Sequence, residues 1–499
     1  MATRVTRREA IAMGVTGIGV GALAMAGGLK ARRRERPGHN VLFIAVDDLR
    51  PQFKCHGHSQ IVSPNIDRLA AEGTLFRRTY CQQAVCAPSR ASVLSGCRPN
   101  TTGVHDLQTP LRTTMPDVMT LPQLFRENGY ISTSLGKIYH HGKREDPPGW
   151  SSEPWVAQNQ FPGVVTEENL ALLDRLRKAE TDPEKRKRVR GPATEAGDLP
   201  DNAYADGQIA DKAIEALRAH KEAEESFFLG VGFLKPHLAF AAPKRYWDLY
   251  PRDEINLADN PFRPEGAPDI ALHTWGELRQ YHQIPKKGPL SDEQARELIH
   301  GYYACVSFID AQLGRLMDEL DALGLRENTV IAFWGDHGWQ LGEHGLWCKH
   351  CNYETSTHSP LLIASPDQKA KGQPTDALCE FVDIYPTVTE LAGLALPDHL
   401  EGTSLAPLMD DPTREWKRAA FSQYPRGRNK MGYSMRTDRY RYTEWIEDEQ
   451  RVLARELYDH QDDPGENVNI ADRAENQELC TELSSWLHAG WEYSRPPGA

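Results

Sequence analysis

The feature that most constrains this chain is a set of short apolar runs, each stopping abruptly at ionisable residues. Val41-Leu42-Phe43-Ile44-Ala45-Val46 stops at Asp47-Asp48, and Val330-Ile331-Ala332-Phe333-Trp334 empties into Gly335-Asp336-His337-Gly338. A third run, Phe227 to Phe233, ends near Lys235-Pro236-His237. Runs this short, continuous and rich in branched and aromatic residues read as buried strands. Helical patterns alternate with them: Val306, Ile309, Leu313, Leu316 and Leu320 recur at helical spacing along residues 302–323, before Gly324. The expected class is α/β. In open α/β sheets ligands bind beyond the carboxyl ends of the strands, so ionisable residues at three strand ends mark one candidate site.

At 499 residues the chain is too long for one ordinary core, and its 39% hydrophobic content with 11 Trp and 17 Tyr supports a globular fold. The texture changes near residue 412. Tyr433 to Thr437 and Tyr440 to Trp445 read as a hairpin, and Leu479, Leu483, Trp486 and Leu487 mark a terminal helix. Residues 38–411 are therefore expected to form the catalytic domain and 412–499 a smaller α+β domain. Residues 166–202, with Glu184-Lys185-Arg186-Lys187-Arg188 in the middle, read as a solvated surface insertion without an assigned role. Residues 251–292, rich in Pro and Asp, are expected to form a long loop over the site.

The formal charge of −12 argues against nucleic acid or an anionic membrane as a non-specific partner. An anionic substrate would have to be held by a local cluster of cations. At the N-terminus, Arg7-Arg8 precede a weakly apolar Gly- and Ala-rich run from Ala10 to Gly28. Ala22-Leu23-Ala24 and Ala24-Met25-Ala26 suit a cleavage site. Residues 1–26 thus read as a twin-arginine export signal, with the twin-arginine machinery as partner and no stable membrane insertion after cleavage. Its loss removes Arg4, Arg7, Arg8 and Glu9 and leaves about −14, and the destination is the periplasm or the exterior. The cysteine count is nine. Cys348 and Cys351 form a C-x-x-C with no second pair at zinc-finger spacing, so a local disulfide or two free thiols is expected there.

The most specific chemistry lies in Cys86-Ala87-Pro88-Ser89-Arg90. Pro88 suits a first helical turn, Ala91 to Leu94 continue it and Gly96 stops it. Cys86 then stands at a helix N-terminus, where free N–H groups favour an anion, and Arg90 supplies a cation one turn in. Three carboxylates (Asp47, Asp48, Asp336) converging from two strand ends require a cation, and oxygen ligation selects a hard divalent ion, calcium or magnesium. Lys137 and His140, three apart, can face one pocket; His237 follows a proline; Lys349 follows the Gly-rich turn after Asp336.

The C-x-P-S-R segment and the helix after it resemble the signature of type I sulfatases, and the chain resembles their iduronate-2-sulfatase-like branch. The likeness rests on Val46-Asp47-Asp48-Leu49-Arg50, Gln82 to Arg90, Gly136-Lys137-Ile138-Tyr139-His140, Lys235-Pro236-His237, Gly335 to Trp339 and Leu341 to Gly345. It continues through Ser422 to Arg426 and Met431 to Thr437, covering nearly all of residues 40–470. It implies an alkaline-phosphatase-like sandwich: a large central mixed sheet flanked by helices, plus a C-terminal α+β part with an antiparallel sheet. It also implies that Cys86 is oxidised to formylglycine by a formylglycine-generating enzyme. One calcium ion is then held by Asp47, Asp48, Asp336, His337 and residue 86. The substrate implied is a sulfated carbohydrate. In the implied reaction the hydrated aldehyde attacks sulfur with Asp336 as base, while Arg90, Lys137 and Lys349 neutralise the sulfuryl oxygens. His237, helped by Lys349, protonates the leaving alcohol, and His140 removes the proton whose loss expels sulfate. Trp339 is expected to stack on a sugar ring. One rival is a phosphomonoester or phosphonate hydrolase on the same scaffold, for which Asp310 and His344 are available as second-metal ligands. The other is a non-catalytic sulfated-glycan binding protein.

Overall fold

A computed structural model describes residues 38–141, 145–158, 160 and 163–498; the expected export signal at 1–26 lies outside them. The central sheet is built from β1 (Asn40–Val46), β2 (Thr74–Tyr80), β3 (Ile131–Gly136), β4 (Phe227–Phe233), β5 (Thr329–Gly335), β6 (Leu361–Ala364) and β7 (Thr375–Glu380). Their order across the sheet is β7-β2-β6-β5-β1-β4-β3. β6 runs antiparallel to β2 and β5, whereas every other neighbouring pair is parallel. The sheet is therefore mixed, and six of its seven strands end at the same edge.

Every residue of β1, β4 and β5 is buried, because helices cover both faces and leave no wet side to demand alternation. On one face Leu42, Ile44 and Val46 pack with α1 (Pro64–Glu72), α3 (Ala205–Ala223) and α4 (Asp292–Ala322). On the other, Val41, Phe43 and Ala45 pack with α2 (Cys86–Ser95) and α5 (Ile384–Leu391). α4 starts ten residues before its apolar periodicity becomes legible. Its start is set by a capping box: Ser291 Oγ accepts from Gln294 N at 3.2 Å, and the Gln294 side chain accepts from Ser291 N at 3.5 Å.

The register aligns the functional edge. Val46 pairs with Phe233 on one side and Gly335 on the other. The ladder runs one residue further, through Asp47 N to Phe233 O (3.2 Å), Asp336 N to Val46 O (3.1 Å) and Lys137 N to Gly232 O (2.8 Å). Backbones approach so closely there that a β-carbon at Gly232 would lie 2.1 Å from Lys137 O.

A second sheet, the antiparallel meander β8 (Ala419–Arg426), β9 (Lys430–Thr437), β10 (Tyr440–Glu447) and β11 (Arg451–Asp459), contains the expected hairpin as β9–β10. Leu483 and Leu487 of α6 (Gln477–Ala489) pack on Ala419, Met435, Tyr442 and Leu457 of that sheet. Buried ion pairs tie it to the first sheet. At the end of β7, Glu380 accepts from both Arg98 terminal nitrogens (2.7 and 2.8 Å), from Lys417 (2.7 Å) and from Phe421 N (2.9 Å).

Residues 166–202 differ from a wholly solvated insertion. Their helices, Glu167–Ala179 and Pro183–Arg188, face solvent. Thr194–Gly197, however, pairs with Phe240–Pro243, and the buried Glu195 accepts hydrogen bonds from Val165 N, Thr166 N and Asn169 Nδ2.

Candidate active site

Cys86 is the first residue of α2, and the helix ends on Gly96 in the left-handed region, both as the sequence predicts. Its Sγ lies 3.4 Å from His337 Nε2, which lies 3.4 Å from Asp48 Oδ1 and 3.5 Å from Asp336 Oδ1. Cys86 also belongs to a second group of potential ligand atoms, with Asp47 and Asp336, that lie within 4.8 Å of one another. His337 Nδ1 faces Gly338 O at 3.0 Å and so carries the proton. That leaves Nε2 as the nitrogen facing the sulfur and the carboxylates. Acceptors facing acceptors at this range, in a wholly buried place, fit a hard divalent ion ringed by oxygen ligands. Asp48 holds its place in the left-handed region (φ 61°), which non-glycine residues seldom adopt. Tyr302 of α4 clamps that turn, its hydroxyl donating to Asp48 O (2.8 Å) and accepting from Arg50 N (2.9 Å).

The thiol itself is chemically quiet. Burial and the Asp47 carboxylate push it well above its ordinary range, and the thiol form is a poor nucleophile and a poor ligand. An oxygen-bearing residue 86 matches the surrounding donor set better than sulfur does.

Cations stand around this anionic centre. Lys137 Nζ pairs with Asp47 Oδ2 at 2.6 Å, and Lys349 Nζ with both Asp48 oxygens at 2.9 and 3.0 Å. Burial favours the neutral amine of Lys349, but Asp48 and Glu277 overcome it and hold the ammonium well charged. Arg90, fully buried, donates Nε to Asp336 Oδ2 (2.8 Å) and Nη2 to Asp47 Oδ1 (3.1 Å), while Nη1 serves Lys137 O and Ile138 O. Its fork holds the Asp47 and Asp336 carboxylates and the end of β3 together.

His237 is pinned by Nδ1 on Leu238 O (2.7 Å), which leaves Nε2 as its working nitrogen. That nitrogen meets Glu277 Oε1 at 3.0 Å and lies 3.9 Å from Asp48 Oδ2. Burial opposes its charge, but Asp48 raises the imidazolium above its ordinary range. His140 is half-buried and goes the other way. Burial, with Lys137 beside it, lowers it to about 3, so its ring is neutral at physiological pH.

Glu277 is the residue sequence reasoning missed. Besides His237 it contacts Lys349, Oε2 to Nζ at 3.0 Å. It belongs to the 251–292 segment, which does reach over the site, but nothing in its spacing sets it apart from the other acids there. Trp339 corrects an expectation. It is fully buried with Lys349 Nζ 4.7 Å above its ring, so it has no open face for a sugar and instead backs the lysine. Asp310 and His344 lie outside the cluster. Asp310 accepts from Asn65 N and Ile66 N at the start of α1, and His344 Nε2 faces Gly465 O. All nine cysteines are free, including Cys348 and Cys351.

Comparison with known proteins gives the family. The family described as Sulfatase matches residues 39–394, and the C-terminal family of N-sulphoglucosamine sulphohydrolase matches 342–491. Human iduronate 2-sulfatase is 34% identical over 88% of this chain and 92% of its own. A sulfatase of Formosa agariphila is 31% identical over 93% and 89% respectively. The solved phosphonate monoester hydrolase of Silicibacter pomeroyi is similar in fold, with a TM-score of 0.72 at 21% identity over 92% of this chain and 96% of that one. With the family match spanning most of the chain and a relative 34% identical over nearly its whole length, the chain belongs to the sulfatase family, enzymes that hydrolyse sulfate esters.

Proposed function

We propose that this sulfatase acts on a sulfated sugar, with formylglycine at position 86 and one calcium ion held by Asp47, Asp48, Asp336, His337 and residue 86. The observation that carries the reading is the buried meeting of Cys86, His337 and three carboxylates, flanked by Lys137 and Lys349. When bound, calcium supplies positive charge to a sulfate ester and to residue 86. Formylglycine supplies a hydrated aldehyde, one hydroxyl to attack sulfur and a second to release sulfate.

The chain's own residues do the rest. Asp336 accepts the proton of the attacking hydroxyl. Lys137 and Lys349 balance charge on the sulfuryl oxygens, and Arg90 keeps Asp47 and Asp336 in place for both. His237 Nε2 delivers a proton to the leaving oxygen, with Lys349 beside it. His140, neutral at working pH, takes the proton whose departure frees sulfate. Likeness to iduronate 2-sulfatase over most of the chain supports a sulfated sugar, and a 2-O-sulfated uronic acid is the first substrate to try.

Intact-mass measurement of the peptide containing Cys86 tests the modification: formylglycine weighs about 18 Da less than cysteine. Active protein that keeps the thiol would overturn the reading. Sulfate release from sulfated mono- and oligosaccharides, set beside aryl sulfate and aryl phosphate, tests the substrate. A clear preference for phosphate would displace the sulfate-ester reading.

Residues 1–26 are read as a cleaved twin-arginine signal, and no helix of the described residues is long and apolar enough to cross a membrane. N-terminal sequencing of the exported protein checks this: a chain that still begins at Met1 would refute cleavage.

A further inference from the structure

The described part of the 166–202 insertion carries a concentration of positive charge that the catalytic scheme does not use. From Lys185 to Arg190 five of six residues are Lys or Arg and none is acidic, in a chain of net charge −12. Lys185, Arg186, Lys187 and Arg188 are exposed on the short helix Pro183–Arg188. Only weak local pairing offsets them: Lys187 to Glu184 at 2.7 Å and Lys185 to Asp182 at 4.0 Å. Arg186 donates to Glu180 O, and Arg188 makes no ion pair among the described residues.

The segment is tied at its C-terminal end to the loop that carries Glu277. After it, His282 N donates to Gly191 O at 2.9 Å and Pro192 bridges to His282, five residues from Glu277. Burial and Glu277 raise the Tyr281 hydroxyl while Arg190 and Lys349 lower it, so Arg190 acts on the same group as the site lysine. Exposed lysines are ordinarily just solvated. Here a cationic arm is fixed at the rim of a site for an anionic group, on a protein whose overall field repels anions.

We infer that the 183–190 arm is a docking surface for the flanking sulfated chain of a polysaccharide substrate. The inference rests on the proposed function and deepens it: the substrate class becomes a polyanion longer than the one sugar that fills the site. Several exposed cations binding a polyanion release counterions, so the contribution must weaken with salt.

The test replaces Lys185→Gln, Arg186→Gln, Lys187→Gln and Arg188→Gln together in the full chain, changing only exposed side chains. Heparin is the polyanion probe, titrated between 50 and 200 mM salt, and 4-nitrophenyl sulfate reports the catalytic centre. The expected result is about tenfold weaker heparin binding with a salt slope reduced by about two, while aryl sulfate turnover stays within about twofold. Unchanged heparin affinity, or an equal fall in aryl sulfate turnover, overturns the inference. So does a wild-type arm that binds phosphatidylserine vesicles in preference to heparin. Wild-type protein that releases no sulfate from any ester would instead sink the proposed function, which the heparin titration does not read.

Discussion

Replacing Arg90 with methionine removes the cation most deeply committed to the site while nearly conserving volume. The guanidinium has no solvent exposure and serves two carboxylates and two carbonyls. Breaking a buried ion pair from one side costs about 3 to 5 kcal/mol, because the partner charge stays behind. Each carbonyl left without a donor adds about 1 to 3 kcal/mol. The total, about 5 to 10 kcal/mol, approaches the whole stability of an ordinary fold. For a chain of this size the entropy of unfolding is about 1 kcal/mol per degree, so the melting temperature of Arg90→Met should fall by about 5 to 10 °C. Thermal unfolding followed by circular dichroism in EDTA measures it. Added calcium should recover more stability in Arg90→Met than in wild type, because the ion becomes the main counter-charge left to Asp336. Arg90→Lys should fall between the two, keeping the charge but not the fork. If Arg90→Met without divalent ions melts within about 2 °C of wild type, the claim that Asp47 and Asp336 depend on this cation is wrong.

Glu277→Gln should loosen His237 and Lys349 together, lowering turnover of alkyl sulfates about 10- to 100-fold while 4-nitrophenyl sulfate, which needs no proton, changes less than about threefold. Equal losses on both substrates would refute a role at the proton donors. Chelation should lower the melting temperature by about 3 °C from a calcium level of 100 times Kd, with calcium restoring it; no shift would contradict a calcium site. Acid should act at Glu380: burial alone raises its carboxyl, but Arg98 and Lys417 overcome this and hold it at about 2. A carboxyl depressed in the fold stabilises above its unfolded value and loses that contribution as pH falls towards 2. Glu380→Gln should therefore flatten the acid limb of the stability curve between pH 4.5 and 2, and an unchanged limb would assign acid unfolding elsewhere.

What was legible in the sequence follows from which constraints are local. A buried parallel strand must be apolar along its length, so β1 and β5 stand out unaided, and an Asp pair directly after such a run cannot be core. The helix at Cys86 was legible because Pro88 and Gly96 bracket it. The start of α4 was legible in principle too, since Ser291-Asp292-Glu293-Gln294 spells a capping box, but its first turns lack the apolar stripe that draws attention. Glu277 and Trp339 were not legible, for one shared reason: each takes its role from Lys349, which only the tertiary fold brings to them. Trp339 is an aromatic two residues past His337, and such a residue can line a cavity or fill one. The lysine settled over its ring decides for filling. Arg90 shows the same limit in a milder form. Its spacing from Cys86 announces a cation one turn into the helix, yet only the ends of β1, β3 and β5, brought into register, show that its donors are already engaged by the protein. The arm at 183–190 separates the two kinds of information most clearly: its charge is plain in the sequence, while its meaning depends on His282, which pairs with Gly191 and Pro192 and ties the arm to the loop that carries Glu277.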